Sequence, residues 1–126
     1  MLTSVKQLNY AIVLCDNLEL MKTFYRDLFS FPIDSESATG LTFRAGSVLL
    51  SLRKRTRDYD GCGVRLELPG VQLAFLVSPA EVDACYKELL EKDVKILEPP
   101  TDQPRGHRTV YFSDPEGNVL EVYAEI

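Results

Sequence analysis

Glu121 is the acid set among apolar residues in Ser113-Asp114-Pro115-Glu116-Gly117-Asn118-Val119-Leu120-Glu121-Val122-Tyr123. A carboxylate so placed can anchor a donor group of a ligand, or move a proton beside a carbonyl. The turn in front of it sets its surroundings. Pro115 suits the second position of a type I turn, Asp114 can bond back to the turn backbone, and Gly117 supplies the positive φ that closes it. Asp114 then sits opposite Asn118, and counting outward pairs Tyr111 with Glu121 and Thr109 with Tyr123. By the period of two, His107, Thr109, Tyr111, Val119, Glu121 and Tyr123 share one sheet face, while Val110, Phe112, Leu120 and Val122 take the other. The second face is wholly apolar and belongs to a core. The first mixes an imidazole, a carboxylate and two phenols with apolar groups, as the wall of a ligand cavity does.

The rest of the reactive inventory is thin. His107 is the only histidine; at the start of a strand it reads as a solvated end, with acid/base work as the alternative. Cys15, Cys62 and Cys85 make an odd count without paired spacing, which suggests neither a disulfide framework nor a zinc knuckle and suits a reducing cytoplasm. Cys15 and Cys85 fall on core-facing positions and Cys62 in a loop. The run Arg53-Lys54-Arg55-Thr56-Arg57 is either a solvated strand end or a rim that attracts anions. With 14 basic and 19 acidic side chains the formal charge of the 126-residue chain is −5, which argues against nucleic acid or an anionic membrane as partner. No apolar run approaches the ~20 residues of a membrane span, and the first residues lack a signal-peptide core.

The elements that must position Glu121 repeat along the chain. Leu18 to Phe29 places Leu18, Met21, Phe24, Tyr25 and Leu28 on one helical face, and Ala80 to Lys92 does the same with Val82, Cys85, Tyr86, Leu89 and Leu90. An apolar strand precedes each helix, and sliding the chain by 62 positions lays Tyr10 on Gln72, Val13 on Phe75 and Phe24 on Tyr86. Further on, Gly46-Ser47-Val48-Leu49-Leu50 lies over Gly117-Asn118-Val119-Leu120-Glu121. Each unit reads βαβββ, with strands near 8–15, 31–37, 41–45 and 47–54, then 71–77, 94–98, 107–113 and 118–125. The expectation is one α+β domain, residues 1–126, with unit 1 at about 5–55, a polar linker at 56–70 and unit 2 at about 71–126; Val64 to Leu68 could add a short strand. Two such units would form an eight-stranded, cup-shaped mixed sheet with helices on its outer face. Alternation assigns Tyr10, Ile12, Leu14, Val48, Leu50, Leu52, Gln72, Ala74 and Leu76 to the lining, with the Glu121 face.

In three stretches the chain resembles the vicinal oxygen chelate superfamily, which includes glyoxalase I, bleomycin resistance proteins, fosfomycin-modifying enzymes and extradiol dioxygenases. These are Leu8-Asn9-Tyr10 through Asn17-Leu18-Glu19 to Phe24-Tyr25-Arg26-Asp27-Leu28; Gln72-Leu73-Ala74-Phe75-Leu76-Val77; and Tyr111-Phe112-Ser113-Asp114-Pro115-Glu116-Gly117-Asn118-Val119-Leu120-Glu121. In the family's metalloenzymes one residue from the first strand and one from the last strand of each unit hold the metal. By this resemblance the slots are Tyr10, Leu50, Gln72 and Glu121, where the family usually has His or Gln first and Glu or His in the others.

Leu50 cannot ligate, and a phenol and an amide are weak partners for a divalent ion that wants an imidazole or a second carboxylate. The expectation is therefore a small-molecule binder of the bleomycin-resistance-like branch with no cofactor, a divalent metal being the minor alternative. Tyr10, Leu50, Gln72, Tyr111, Glu121 and Tyr123 would contact the ligand. If the protein is instead a lyase, isomerase or dioxygenase, Glu121 carries the chemistry, as general base or on an irregular metal, with His107 a second candidate. A degenerate dimeric module is the third reading, and the resemblance implies a homodimer in all three.

Overall fold

The computed structural model of the protein describes residues 1–61 and 69–126. The expected extra strand at 64–68 and Cys62 lie outside these residues. The chain divides into two compact units, 1–64 and 65–126. Each is an α+β βαβββ unit with a four-stranded mixed sheet.

Unit 1 runs β1 (Tyr10–Cys15), α1 (Leu18–Leu28), β2 (Ile33–Ser37), β3 (Gly40–Ala45) and β4 (Val48–Lys54), in sheet order β1-β4-β3-β2. Its first strand lies parallel to its last, because the helix intervenes as the crossover. Asn17 caps α1 by accepting the Leu20 N–H at 3.2 Å, satisfying one of the helix's orphan donors. Leu18, Met21 and Tyr25 then recur on the buried face, with Phe24 and Leu28 half-buried at its margins. The buried apolar sheet residues are Val13, Cys15, Leu41, Phe43, Leu50 and Leu52. Lys22 is buried as well; its amine bonds the Ser37 carbonyl at 2.8 Å and lies 3.2 Å from Glu36, which offsets the cost of burying a charge.

Unit 2 runs β5 (Gln72–Leu76), α2 (Pro79–Glu91), β6 (Ile96–Gln103), β7 (His107–Ser113) and β8 (Val119–Glu125), in order β5-β8-β7-β6. Pro79 opens α2, where its missing N–H is no loss, and Glu81 accepts the Ser78 N–H at 2.9 Å. The helix buries Val82 and Leu89, with Cys85 and Tyr86 half-buried between them. Leu90, expected on this face, is 50% exposed: it follows Leu89 by one residue and is turned about 100° away.

Two further elements differ from expectation. β6 continues to Gln103, through Pro99 and Pro100, where a prolyl pair should have ended it. It is the edge strand, and its pairing with β7 shifts register on both sides of Glu98, so neither proline removes a needed ladder bond. Within the linker, Asp58–Asp60 forms a 3-10 turn. Asp60 accepts the N–H groups of Thr56 and Arg57, each at 2.9 Å, a local bond pattern that polar composition alone does not announce.

Candidate functional site: the Glu121 face of unit 2

The turn before β8 is built as its residue types require. Asp114 is buried; its Oδ1 accepts the Glu116 and Asn118 N–H groups at 2.9 and 3.0 Å, and its Oδ2 accepts the Asn118 side-chain amide at 2.8 Å. Gly117 sits at φ 84° and donates to the Asp114 carbonyl at 3.0 Å. The register follows: Tyr111 opposite Glu121 and Thr109 opposite Tyr123. Val110, Phe112, Leu120 and Val122 are all buried on the other face, against which α2 packs.

On the face of interest, Gln72 and Glu121 are neighbours. Ala74 pairs with Glu121, and Gln72, two residues earlier, donates Nε2 to Glu121 Oε1 at 3.1 Å. Glu121 is only 6% exposed, whereas Gln72 is exposed. Among the described residues no buried side-chain oxygen lacks a partner, so the second carboxylate oxygen, which takes no protein hydrogen bond, reaches solvent. Farther across the sheet, the Tyr111 phenol oxygen accepts from Arg105 Nη2 at 2.8 Å. Gln103 uses its amide on Glu98 at 2.7 Å and on Thr109 at 2.9 Å, a closed set that fixes the edge. His107 lies against Tyr123, the rings tilted by 34° with centroids 4.8 Å apart, and pairs in register with Glu125.

Unit 2 thus brings together Gln72, Glu121 and Tyr111 of the expected set, with Tyr123 and His107 at the far end of the same face. Sequence reading passed over Arg105. Its signal was the hairpin Pro104-Arg105-Gly106, where Gly106 at φ 93° turns the chain back and the β6–β7 pairing resumes at His107.

Unit 1 corrects one assignment. Tyr10 pairs with Leu49 and is 47% exposed, on a face with Ile12 and Ser51. Leu50 pairs with Ala11 and Phe43, is 3% exposed, and belongs to the core. It therefore neither shares a face with Tyr10 nor matches Glu121. The matching position is Ser51: it pairs with Ile12, two residues after Tyr10, as Glu121 pairs with Ala74, two residues after Gln72. Val48 and Leu52 leave the expected lining with Leu50, and Leu49 and Arg53 replace them. Superposing the turn glycines caused the slip. Two residues join Ala45 to Val48, but five join Ser113 to Val119, so Gly46 and Gly117 hold different places in their hairpins, and a one-residue offset turns a strand over. The Ser51 hydroxyl lies 2.9 Å from that of Thr42.

Two of the four cations in the basic run are paired locally. Arg53 makes a two-pronged contact with Asp60 at 3.0 and 2.8 Å, and Arg55 holds Asp16 at 2.9 Å and also bonds the Asp60 carbonyl. The Arg53 guanidinium, helped by the Arg57 and Thr56 N–H groups, holds the Asp60 carboxyl well below the usual carboxylate range. Arg108 bonds Asp83 and Asp102. Burial pushes the half-buried Cys85 thiol upward, away from the reactive thiolate.

With this geometry established, comparison with known proteins places the chain. The Glyoxalase/Bleomycin resistance protein/Dioxygenase superfamily model matches residues 7–122, and the protein belongs to that superfamily. It is similar to the metallothiol transferase FosB of Staphylococcus haemolyticus, 27% identical over 119 residues that cover 94% of this chain and 84% of that one. It is also 26% identical over 134 residues to the uncharacterized protein YaeR of Escherichia coli, covering 96% and 98% of the two. Among solved structures, a glyoxalase/bleomycin resistance protein/dioxygenase from Nocardioides matches with a TM-score of 0.85 at 23% identity, covering 98% of this chain and 86% of that one. A lactoylglutathione lyase from Agrobacterium tumefaciens matches at 0.76 and 21%, covering 95% and 94%. At these identities the structural likenesses establish the fold.

The resemblance implies a divalent metal, and the donor set can be tested against it. Unit 2 offers one carboxylate and one amide whose N–H faces that carboxylate; unit 1 offers a phenol and, after the correction, a hydroxyl already engaged with Thr42. His107 lies toward the far end of the ladder, opposite Glu125, with its imidazole against Tyr123. Neither unit's own donors, one carboxylate with an amide or a phenol with a hydroxyl, fit a first-row divalent ion.

Proposed function

We propose that this protein holds a small organic ligand against the Glu121 face of unit 2, without the divalent metal of its enzymatic relatives. The observation that carries the reading is the Gln72–Glu121 pair: a carboxylate almost withdrawn from solvent, oriented by one amide, with a second oxygen left for an incoming donor. A charged acceptor in such surroundings binds a ligand N–H or O–H more strongly than a neutral one would. Tyr111 and Tyr123 beside it give flat, amphipathic surface for the body of the ligand, and Tyr10 presents a third phenol on the open face of unit 1. Cys15 and Cys85, both carrying thiols, suit a reducing cytoplasm, and the family resemblance suggests a homodimer.

The test is a thermal-shift screen of small organic compounds on the chelator-washed protein. A compound at about 100 times its Kd should add roughly 2.7 kcal/mol to stability, and Glu121→Gln should abolish the shift. A shift that survives in Glu121→Gln overturns the assignment.

A further inference from the structure

Across the Glu121 face of unit 2, four polar side chains stand in one line: Gln72, Glu121, Tyr111 and Arg105. The links are Gln72 Nε2 to Glu121 Oε1 at 3.1 Å, Tyr111 opposite Glu121 in the ladder, and Arg105 Nη2 to the Tyr111 oxygen at 2.8 Å. Within it Glu121 and Arg105, on either side of Tyr111, carry opposite charges. Arg26, Arg44, Arg53, Arg55 and Arg108 each pair with a carboxylate. Arg105 does not: among the described residues its bond is to a neutral phenol, so most of its five N–H donors remain for a ligand. Its hairpin is held, because the Gly106 N–H bonds the Gln103 carbonyl at 3.1 Å and the Ile126 N–H bonds the Gly106 carbonyl at 2.9 Å. The phenol, accepting from Arg105, keeps its own proton to donate.

We infer that the ligand is a small carboxylic acid that also carries a hydroxyl or amine, the acid on Arg105 and Tyr111 and the donor on Glu121. A plain carboxylate would meet repulsion from Glu121, and a plain amine would meet it from Arg105. A molecule with both groups satisfies both charges, and a guanidinium takes a carboxylate through two parallel bonds. This deepens the proposed role of Glu121 and rests on it.

The test uses ω-hydroxy and ω-amino carboxylic acids of increasing chain length, each with its methyl ester and with the analogue lacking the donor group, titrated calorimetrically into the full chain. For at least one length the free acid should bind about tenfold or more tighter than its ester, as expected for a lost bond to a charged group. Arg105→Gln should erase that preference while sparing the preference for the donor group; Glu121→Gln should abolish the binding of acid and ester alike. Arg105→Lys should restore part of the affinity, as a point charge without the fork. Equal binding of acid and ester by the wild type, an acid preference that survives in Arg105→Gln, or no binding by any acid would overturn the inference. The screening compounds of the preceding section judge Glu121 separately, so the site can survive the loss of this ligand class.

Discussion

Gln72 and Glu121, 49 positions apart in sequence, meet at 3.1 Å because β5 lies parallel to β8 and puts Ala74, two residues after Gln72, opposite Glu121. The bond orients a carboxylate that the fold does not otherwise need. Glu121→Gln should therefore keep stability within about 1 kcal/mol of wild type, the net worth of one hydrogen bond, while removing ligand-induced stabilisation. Paired denaturant melts with and without ligand check this. A loss of several kcal/mol without ligand would make Glu121 a structural acid.

The corrected register in unit 1 gives opposite expectations for adjacent residues. Leu50→Ala should cost about 2–5 kcal/mol, because it empties space in a core shared with Phe43 and Val13. Ser51→Ala should cost about 1 kcal/mol or less, through its bond to Thr42. Equilibrium urea unfolding of the two variants distinguishes this register from the one-residue alternative, which reverses their order.

The turn that sets Glu121 should be sensitive to Asp114. Asp114→Ala removes three hydrogen bonds and strands the buried Asn118 amide, for a loss of about 2–4 kcal/mol. Gly117→Ala, at φ 84°, should cost about 1 kcal/mol more than a glycine-to-alanine change at a negative-φ position. Thermal melts of both variants test the turn directly.

Acid stability should depend on Asp60. Arg53 above all holds its folded-state pKa below the unfolded value. The resulting stabilisation is fully present above the unfolded carboxylate value of about 4 and is lost as pH falls through it toward the depressed native value. Glu36, lowered by Arg26 and then Lys22, and Asp83, lowered by Arg108, act in the same direction. The melting temperature of wild type should drop between about pH 5 and pH 2, and Asp60→Asn should be less stable at neutral pH with a shallower acid drop. An unchanged pH profile in Asp60→Asn would remove Asp60 from this account.

These contrasts show which parts of the molecule could be read in the sequence. The β7–β8 register was legible because Asp114, Pro115, Gly117 and Asn118 each have a specific turn chemistry, and the turn fixes every later pairing. The β4 register was not, because a glycine marks a hairpin without stating its length. Pro99 and Pro100 hid the second half of β6, since their tolerance depends on its being an edge strand, which is a property of the whole sheet. Arg105 was invisible for a similar reason: its importance comes from a phenol six positions on, reached only after the hairpin closes.

The central claim is that Glu121 serves a ligand rather than a metal ion, and calorimetric titration of the chelator-stripped protein with Zn²⁺, Mn²⁺ and Ni²⁺ tests it most directly. The account predicts no stoichiometric binding tighter than about millimolar, that is, no binding free energy stronger than about −4 kcal/mol, and no difference between wild type and Glu121→Gln. One ion bound per chain at micromolar affinity or better, and lost in Glu121→Gln, would contradict it.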